Sequence, residues 1–176
     1  MRPWAWGLGP EPLGLSPWAY DPPVPRWIAP SVALLACAWL VLIVAAPFLW
    51  IPAAGVMYAA GSFICHQIPE RSFHLDGFQL PVCARCFGLY GGGAFGSVIG
   101  AVSAFRRRLI TDGEDLARLN RWRWTVVAAI PTAVTFVLEW VFGWPISNGV
   151  RAVAALSLGF MVAFVVVSAA ATVHYE

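Results

Sequence analysis

Three of the four cysteines lie close to polar and charged residues. Cys65 is followed directly by His66, while Cys83 and Cys86 enclose Ala84 and Arg85 as Cys-Ala-Arg-Cys. Seventeen residues separate Cys65 from Cys83. A two-residue gap lets a pair of sulfurs hold one ion without strain, and the intervening loop is long enough to fold back, so Cys65, His66, Cys83 and Cys86 make a tetrahedral zinc set. His74, inside that loop, is an alternative to His66. A lone Cys-x-x-Cys is less specific than two such pairs, and two other chemistries fit the same residues. In an oxidising compartment Cys83 and Cys86 can cycle between dithiol and disulfide with Cys65 as the resolving thiol. Alternatively, two of the three form a structural disulfide and leave one odd thiol. Cys86 lies just before an apolar stretch that reads as a helix, so the positive end of that helix, together with Arg85, favours its thiolate.

Charges surround these sulfurs. Glu139 falls about fifteen residues beyond Trp124, roughly 22 Å along a helix rising 1.5 Å per residue. Arg151 follows a short turn later, and the two are expected to pair where the dielectric is low. Arg71 and Arg85 lie on the same side of the chain's topology, so three guanidiniums and one carboxylate can enclose a pocket for an anionic headgroup or an oxyanion. Gln67, Ser147 and Asn148 add neutral groups that can orient a ligating histidine or a substrate carbonyl, and Ser147 or Asn148 also reads as a helix N-cap. His174 falls near the opposite face and is left out of the site. Cys37, within an uncharged apolar run, reads as a small buried hydrophobe.

The elements that must position these residues are membrane spans. Between Arg26 and Glu70 there is no charge, and residues 28–50 are long enough to cross an apolar core of roughly 30 Å. Residues 52–64 are apolar but too short, which predicts an interfacial or re-entrant helix leading into Cys65. Further spans are expected at about 87–105, 124–142 and 152–173. The fold expected is therefore all-α: an integral membrane bundle of four transmembrane helices, with a short interfacial helix and an outward Cys/His loop. Arg106, Arg107, Arg108, Arg118, Arg121 and Arg123 crowd the loop between the second and third spans, and excess arginine in a short loop marks the cytoplasmic side. Both termini are then cytoplasmic, and residues 53–86 and 143–149 face outward. Asp112 to Asp115 in the cytoplasmic loop read as a turn and an acidic helix start.

Composition agrees with this architecture. The chain is 60% hydrophobic and 11% charged, against about a quarter charged in soluble domains. Its mean hydropathy is +0.72. All eleven basic residues are arginine, and a net charge of +2 scattered along the chain excludes a nucleic-acid footprint. The lipid bilayer is the expected partner. Residues 1–27 form a Pro/Trp-rich arm, and residues 28–176 form a single membrane domain. The arm lacks the charged start and apolar stretch of a cleavable signal, so the first span is expected to direct insertion. Gly88, Gly92, Gly96 and Gly100 recur every four residues, which places them on one helix face and lets another backbone approach closely. A phosphate-cradling loop does not fit, for no lysine follows those glycines.

Cys65-His66-Gln67, Pro69, Arg71-Ser72-Phe73, Gly77, Gln79, Pro81 and Cys83-Ala84-Arg85-Cys86, followed by Gly88 and Tyr90, resemble the signature of an uncharacterised bacterial membrane family, domain of unknown function 2085. Ser147, Asn148 and Arg151 are similar to its other recurring element, and the resemblance covers about residues 60–155. The sequence departs from it at Phe87, Ala154 and Ala155. The resemblance implies a multi-helix protein of the bacterial inner membrane with a shared polar site, and it brings no reaction with it. Three functions are consistent with the residues: a zinc-binding membrane protein; a thiol-disulfide oxidoreductase exchanging electrons between outer thiols and a quinone; and an accessory subunit docking on other membrane subunits through the glycine face and the tryptophan-rich arm. Transport fits poorly, since a single carboxylate lies within the spans and no inverted halves are evident.

Overall fold

The computed structural model describes the backbone of residues 27–107 and 115–170 and the side chains of 27–103 and 122–170. The N-terminal arm before Trp27, the acidic turn at 112–114, Arg108 and His174 lie outside the described residues. Among the described residues there are five α-helices: α1 (Ile28–Ala45), α2 (Ile51–Ile64), α3 (Ala84–Arg107), α4 (Asp115–Trp140) and α5 (Asn148–Ala170). A two-stranded antiparallel hairpin of β1 (Ser72–Leu75) and β2 (Phe78–Cys83) lies between α2 and α3.

Local chemistry explains the breaks. α1 runs on through a single 3-10 turn, Ala46–Phe48, and stops where Leu49 and Trp50 become extended. Pro52 then occupies the first turn of α2, where a missing N–H costs nothing. α2 has the length expected for a helix too short to cross, and it ends with Cys65 as its extended C-cap.

The protein is mostly helical as expected, and the expected outward Cys/His loop contains this small two-stranded sheet. Leu75 pairs with Phe78, leaving Asp76 and Gly77 as a two-residue turn. Both have positive φ, 50° and 83°, which is the geometry that favours Asp-Gly in tight hairpins. A register shift between Ser72 and His74 marks a bulge, and Pro81, which cannot donate to a ladder, sits on the partner strand beside it.

Among the described residues three helices are long and apolar enough to cross a membrane: Ile28–Phe48, Ala84–Ser103 and Asn148–Ala170. Only 17% of the first and 33% of each of the others is buried, so their large apolar side chains face outward as in a lipid-facing bundle. α4 is not among the three. Trp122, Arg123 and Trp124 at one end and Glu139 at the other lower its apolar character, and it closes at Trp140 rather than 142.

α3 and α5 form the tightest pair, and the glycine face is the reason. A Cβ on Gly88 would lie 2.0 Å from the Ala152 carbonyl oxygen, on Gly92 2.1 Å from that of Leu156, and on Gly96 2.2 Å from that of Phe160. Gly159 answers from α5, 2.1 Å from the Leu89 carbonyl. The close-packing face is therefore filled by the chain's own last helix, which removes it as the docking surface expected for other subunits. α4 joins α5 through hydroxyls: Thr132 Oγ1 donates to the Ala154 carbonyl at 2.8 Å and Ser157 Oγ to that of Ala128 at 2.8 Å. Such bonds tie helices together where apolar faces gain nothing over lipid. At one end of the bundle a small core of Ile43, Cys65 and Val82 packs against Trp39, Phe87 and Tyr90, and this end carries the hairpin.

Candidate functional site

Each clustered thiol is placed by a different element. Cys65 caps α2, Cys83 is the last residue of β2, and Cys86 falls within the first turn of α3. The Cys-x-x-Cys unit thus straddles a strand-to-helix junction, and α3 begins three residues earlier than the expected span. The three sulfurs lie within 4.8 Å of one another, and all are free thiols. The Cys83 N–H donates to Cys65 Sγ at 3.1 Å. A hydrogen bond from the Cys86 thiol, aided by backbone N–H groups of Cys86 and Arg85, outweighs burial and holds the Cys83 thiol well below its usual range, at about 5. One thiolate is therefore available at neutral pH.

The frame beneath the sulfurs is a hydrogen-bonded clasp. Gln67, at φ 50°, donates from Nε2 to the carbonyls of Tyr58 at 2.7 Å and Pro81 at 2.8 Å. Gln79 returns a bond from its Nε2 to the Gln67 carbonyl at 2.7 Å, and the Tyr58 hydroxyl donates to the Gln79 carbonyl. Gly61 permits the crossing, since a Cβ there would sit 2.2 Å from the Pro81 oxygen. The donors of the Gln67 amide, expected to orient a histidine or a substrate, are instead given to the backbone carbonyls of Tyr58 and Pro81. Tyr58, Gly61 and Gln79 were not legible as site residues individually, although Gln79 belongs to the signature quoted above.

Beside the thiols, three guanidiniums meet one carboxylate. Glu139 accepts from Arg71 Nη2 at 3.1 Å, Arg85 Nη2 at 2.8 Å and Arg151 Nη2 at 3.0 Å. Arg151 Nε lies 3.4 Å from the second carboxylate oxygen, giving a forked approach. The Glu139 side chain is 8% exposed and that of Arg151 10%. Asn148 holds the arrangement to the hairpin: its Oδ1 accepts from Arg151 Nη1 at 2.6 Å, and its Nδ2 donates to the carbonyls of Ser72 at 2.9 Å and Glu70 at 3.3 Å. Ser147 is the α5 N-cap, its Oγ facing the Val150 N–H at a long 3.4 Å. The Arg71 and Arg85 guanidiniums also lie over the Trp140 and Phe136 rings, at 5.9 and 5.4 Å.

Thiols and guanidiniums line one cavity of about 360 Å³, with Ile64, Ile68 and Trp140 as apolar wall. The expected Glu139–Arg151 pair is present, and Arg71 and Arg85 join it. His66 is exposed and lines the same cavity, but it is not part of the converging ligand group. His74 is exposed on β1, paired in register with Gln79, and lines neither. Cys37 is half-buried in α1, away from the three thiols.

The comparisons with known proteins bear on the same stretch. A family model described as predicted membrane protein (DUF2085) matches residues 65–165. The chain belongs to this family. The matched segment opens at Cys65 and contains the other clustered thiols, Arg71, Glu139 and Arg151. An uncharacterized protein of Methanocaldococcus jannaschii is 36% identical over 108 residues, covering 61% of this chain and 64% of that protein. An uncharacterized protein of Methanothermobacter thermautotrophicus is 54% identical over 28 residues, covering 16% of this chain and 25% of that protein. The chain spans less than two thirds of the length of each relative. Both relatives are archaeal, so similarity to this family is not confined to bacteria. No solved structure matches the chain.

Proposed function

We propose that this DUF2085 protein is a four-span membrane protein that binds a soft divalent metal, zinc in the first instance, at the non-cytoplasmic rim of its bundle. The observation that carries the reading is the convergence of three thiols from α2, β2 and α3 within 4.8 Å. Zinc–sulfur bonds of about 2.3 Å put tetrahedral sulfurs about 3.8 Å apart, a small contraction from that spacing. The lowered Cys83 supplies thiolate, the form a metal takes. His66, lining the same cavity next to Cys65, is the fourth ligand in our assignment, with Arg71, Arg85, Glu139, Asn148 and Arg151 building the pocket and His74 the alternative donor.

Two features support α4 as the fourth span. Its 26 residues reach about 39 Å, more than a bilayer core requires. Its buried acid is neutralised by three arginines rather than left bare in lipid. Arg106 and Arg107 at the end of α3, with Arg118, Arg121 and Arg123 early in α4, then define the cytoplasmic side.

Metal analysis of the full chain purified in uncharged detergent tests the assignment. About one zinc per chain is expected, falling severalfold in Cys83→Ser and in Cys65→Ser at unchanged helix content. Retention by His66→Ala would leave the fourth position to water or a bound ligand and permit metal-assisted hydrolysis; its loss would make the site four-protein-ligand and structural. Folded protein that takes up no zinc sinks the reading. A second reading, thiol oxidation, is favoured by the same free sulfurs: two thiols forming a disulfide release two electrons and two protons to a membrane quinone. Thiol trapping under oxidising and reducing conditions separates the two, since a redox site changes state and a metal site does not.

A further inference from the structure

The cation cluster is not balanced by its own carboxylate. Arg71, Arg85 and Arg151 share Glu139 alone among the described carboxylates, and three guanidiniums against that carboxylate and the one thiolate on the same cavity still leave a positive excess. Glu70 and Asp76, the nearest acids in sequence to the hairpin, are exposed and make no ion pair with these arginines among the described residues. The Arg85 Nε is buried without a hydrogen-bond partner, an arrangement that costs free energy unless something accepts from it. All three guanidiniums line the same cavity of about 360 Å³, which is within the range of small-ligand pockets. Each guanidinium presents its donors as a planar fork suited to two oxygens of one anion.

We propose that this cavity binds an oxyanion of the phosphate class, free or as a phosphomonoester lipid headgroup, held by Arg71 and Arg85 with Arg151 behind them. Glu139 is the group that keeps the three forks aligned toward the cavity. The site rests on the arginines, and although it shares its cavity with the thiols it does not require a metal there.

Binding is measured on the full chain in uncharged detergent, using the Cys83→Ser variant to remove any contribution from a thiol-held metal. Calorimetric titration uses inorganic phosphate as one probe and nanodiscs containing phosphatidic acid, against phosphatidylcholine nanodiscs, as the other. Saturable one-to-one binding is expected for at least one probe. Arg71→Gln, at the partly exposed position, is expected to weaken it by about tenfold, as is typical for a lost charged hydrogen bond. Arg123→Gln, an exposed arginine elsewhere on α4, is the charge-matched control and should leave affinity unchanged. Response to phosphate assigns a soluble anion, and response to phosphatidic acid alone assigns a headgroup. Failure of folded protein to bind either probe, or equal weakening by Arg123→Gln, overturns the proposal. A folded parent chain that takes up no zinc, with phosphate binding intact in the variant, would overturn only the metal reading.

Discussion

Glu139 is the residue on which the rim of the bundle turns. Its two oxygens hold guanidiniums from the hairpin entry, the start of α3 and the start of α5. Removing the acid leaves three cations facing one another with little water to screen them. Glu139→Gln is therefore expected to destabilise the protein by about 3 kcal/mol, the range for breaking a buried ion pair from one side. Arg71→Gln removes one of three partners, from a side chain 36% exposed, and should cost under about 1 kcal/mol. Chemical unfolding in detergent, followed by circular dichroism, checks both. Equal costs would show that the three arginines do not share the acid as their geometry requires. Individual residues were readable in the sequence as far as type went: a carboxylate within an apolar stretch and arginines at the ends of others announce a polar site. That Gln67 serves the backbone, and that Arg71 reaches Glu139 across 68 positions, depends on contacts no local spacing encodes.

At the scale of elements, α3 shows how one helix builds two different faces. Gly92 leaves a Cβ-sized gap filled by the Leu156 carbonyl, while Gly93, its neighbour, has nothing within 4 Å. Gly92→Ala is expected to force α3 from α5 and cost about 2 kcal/mol, as overpacking does. Gly93→Ala should be neutral or stabilise by up to about 1 kcal/mol, since alanine is the better helix former. Melting of both variants in the same detergent tests the pair, and an equal response would contradict the packing described. The four-residue glycine period was readable because helical geometry alone puts those positions on one face. Its partner was not readable, and α5 rather than another subunit fills it. The hairpin carried a legible local signal in Asp76-Gly77, yet the short strands around it, interrupted by Pro81, lack the length and alternation that identify a strand by pattern.

The whole molecule is organised as a lipid-facing bundle with chemistry gathered at one end. Impermeant maleimide tests the proposed orientation in intact cells, scored above the labelling of the parent chain. Asp76→Cys, at the exposed hairpin turn, should label from outside. Trp122→Cys, exposed early in α4, should label only after permeabilisation. The reverse pattern would invert the topology and put the thiols in the cytoplasm. Sequence by itself determined that this chain lives in a membrane, where its apolar stretches run, and that Cys65, Cys83 and Cys86 were the residues to watch, because hydropathy and spacing are local properties of a chain. Only the tertiary structure decided that a strand-helix junction brings the three sulfurs together, that α5 closes on the glycine face, and that three arginines meet one glutamate. Those meetings join segments far apart in sequence, and their distances are set by how helices pack rather than by any stretch of residues alone.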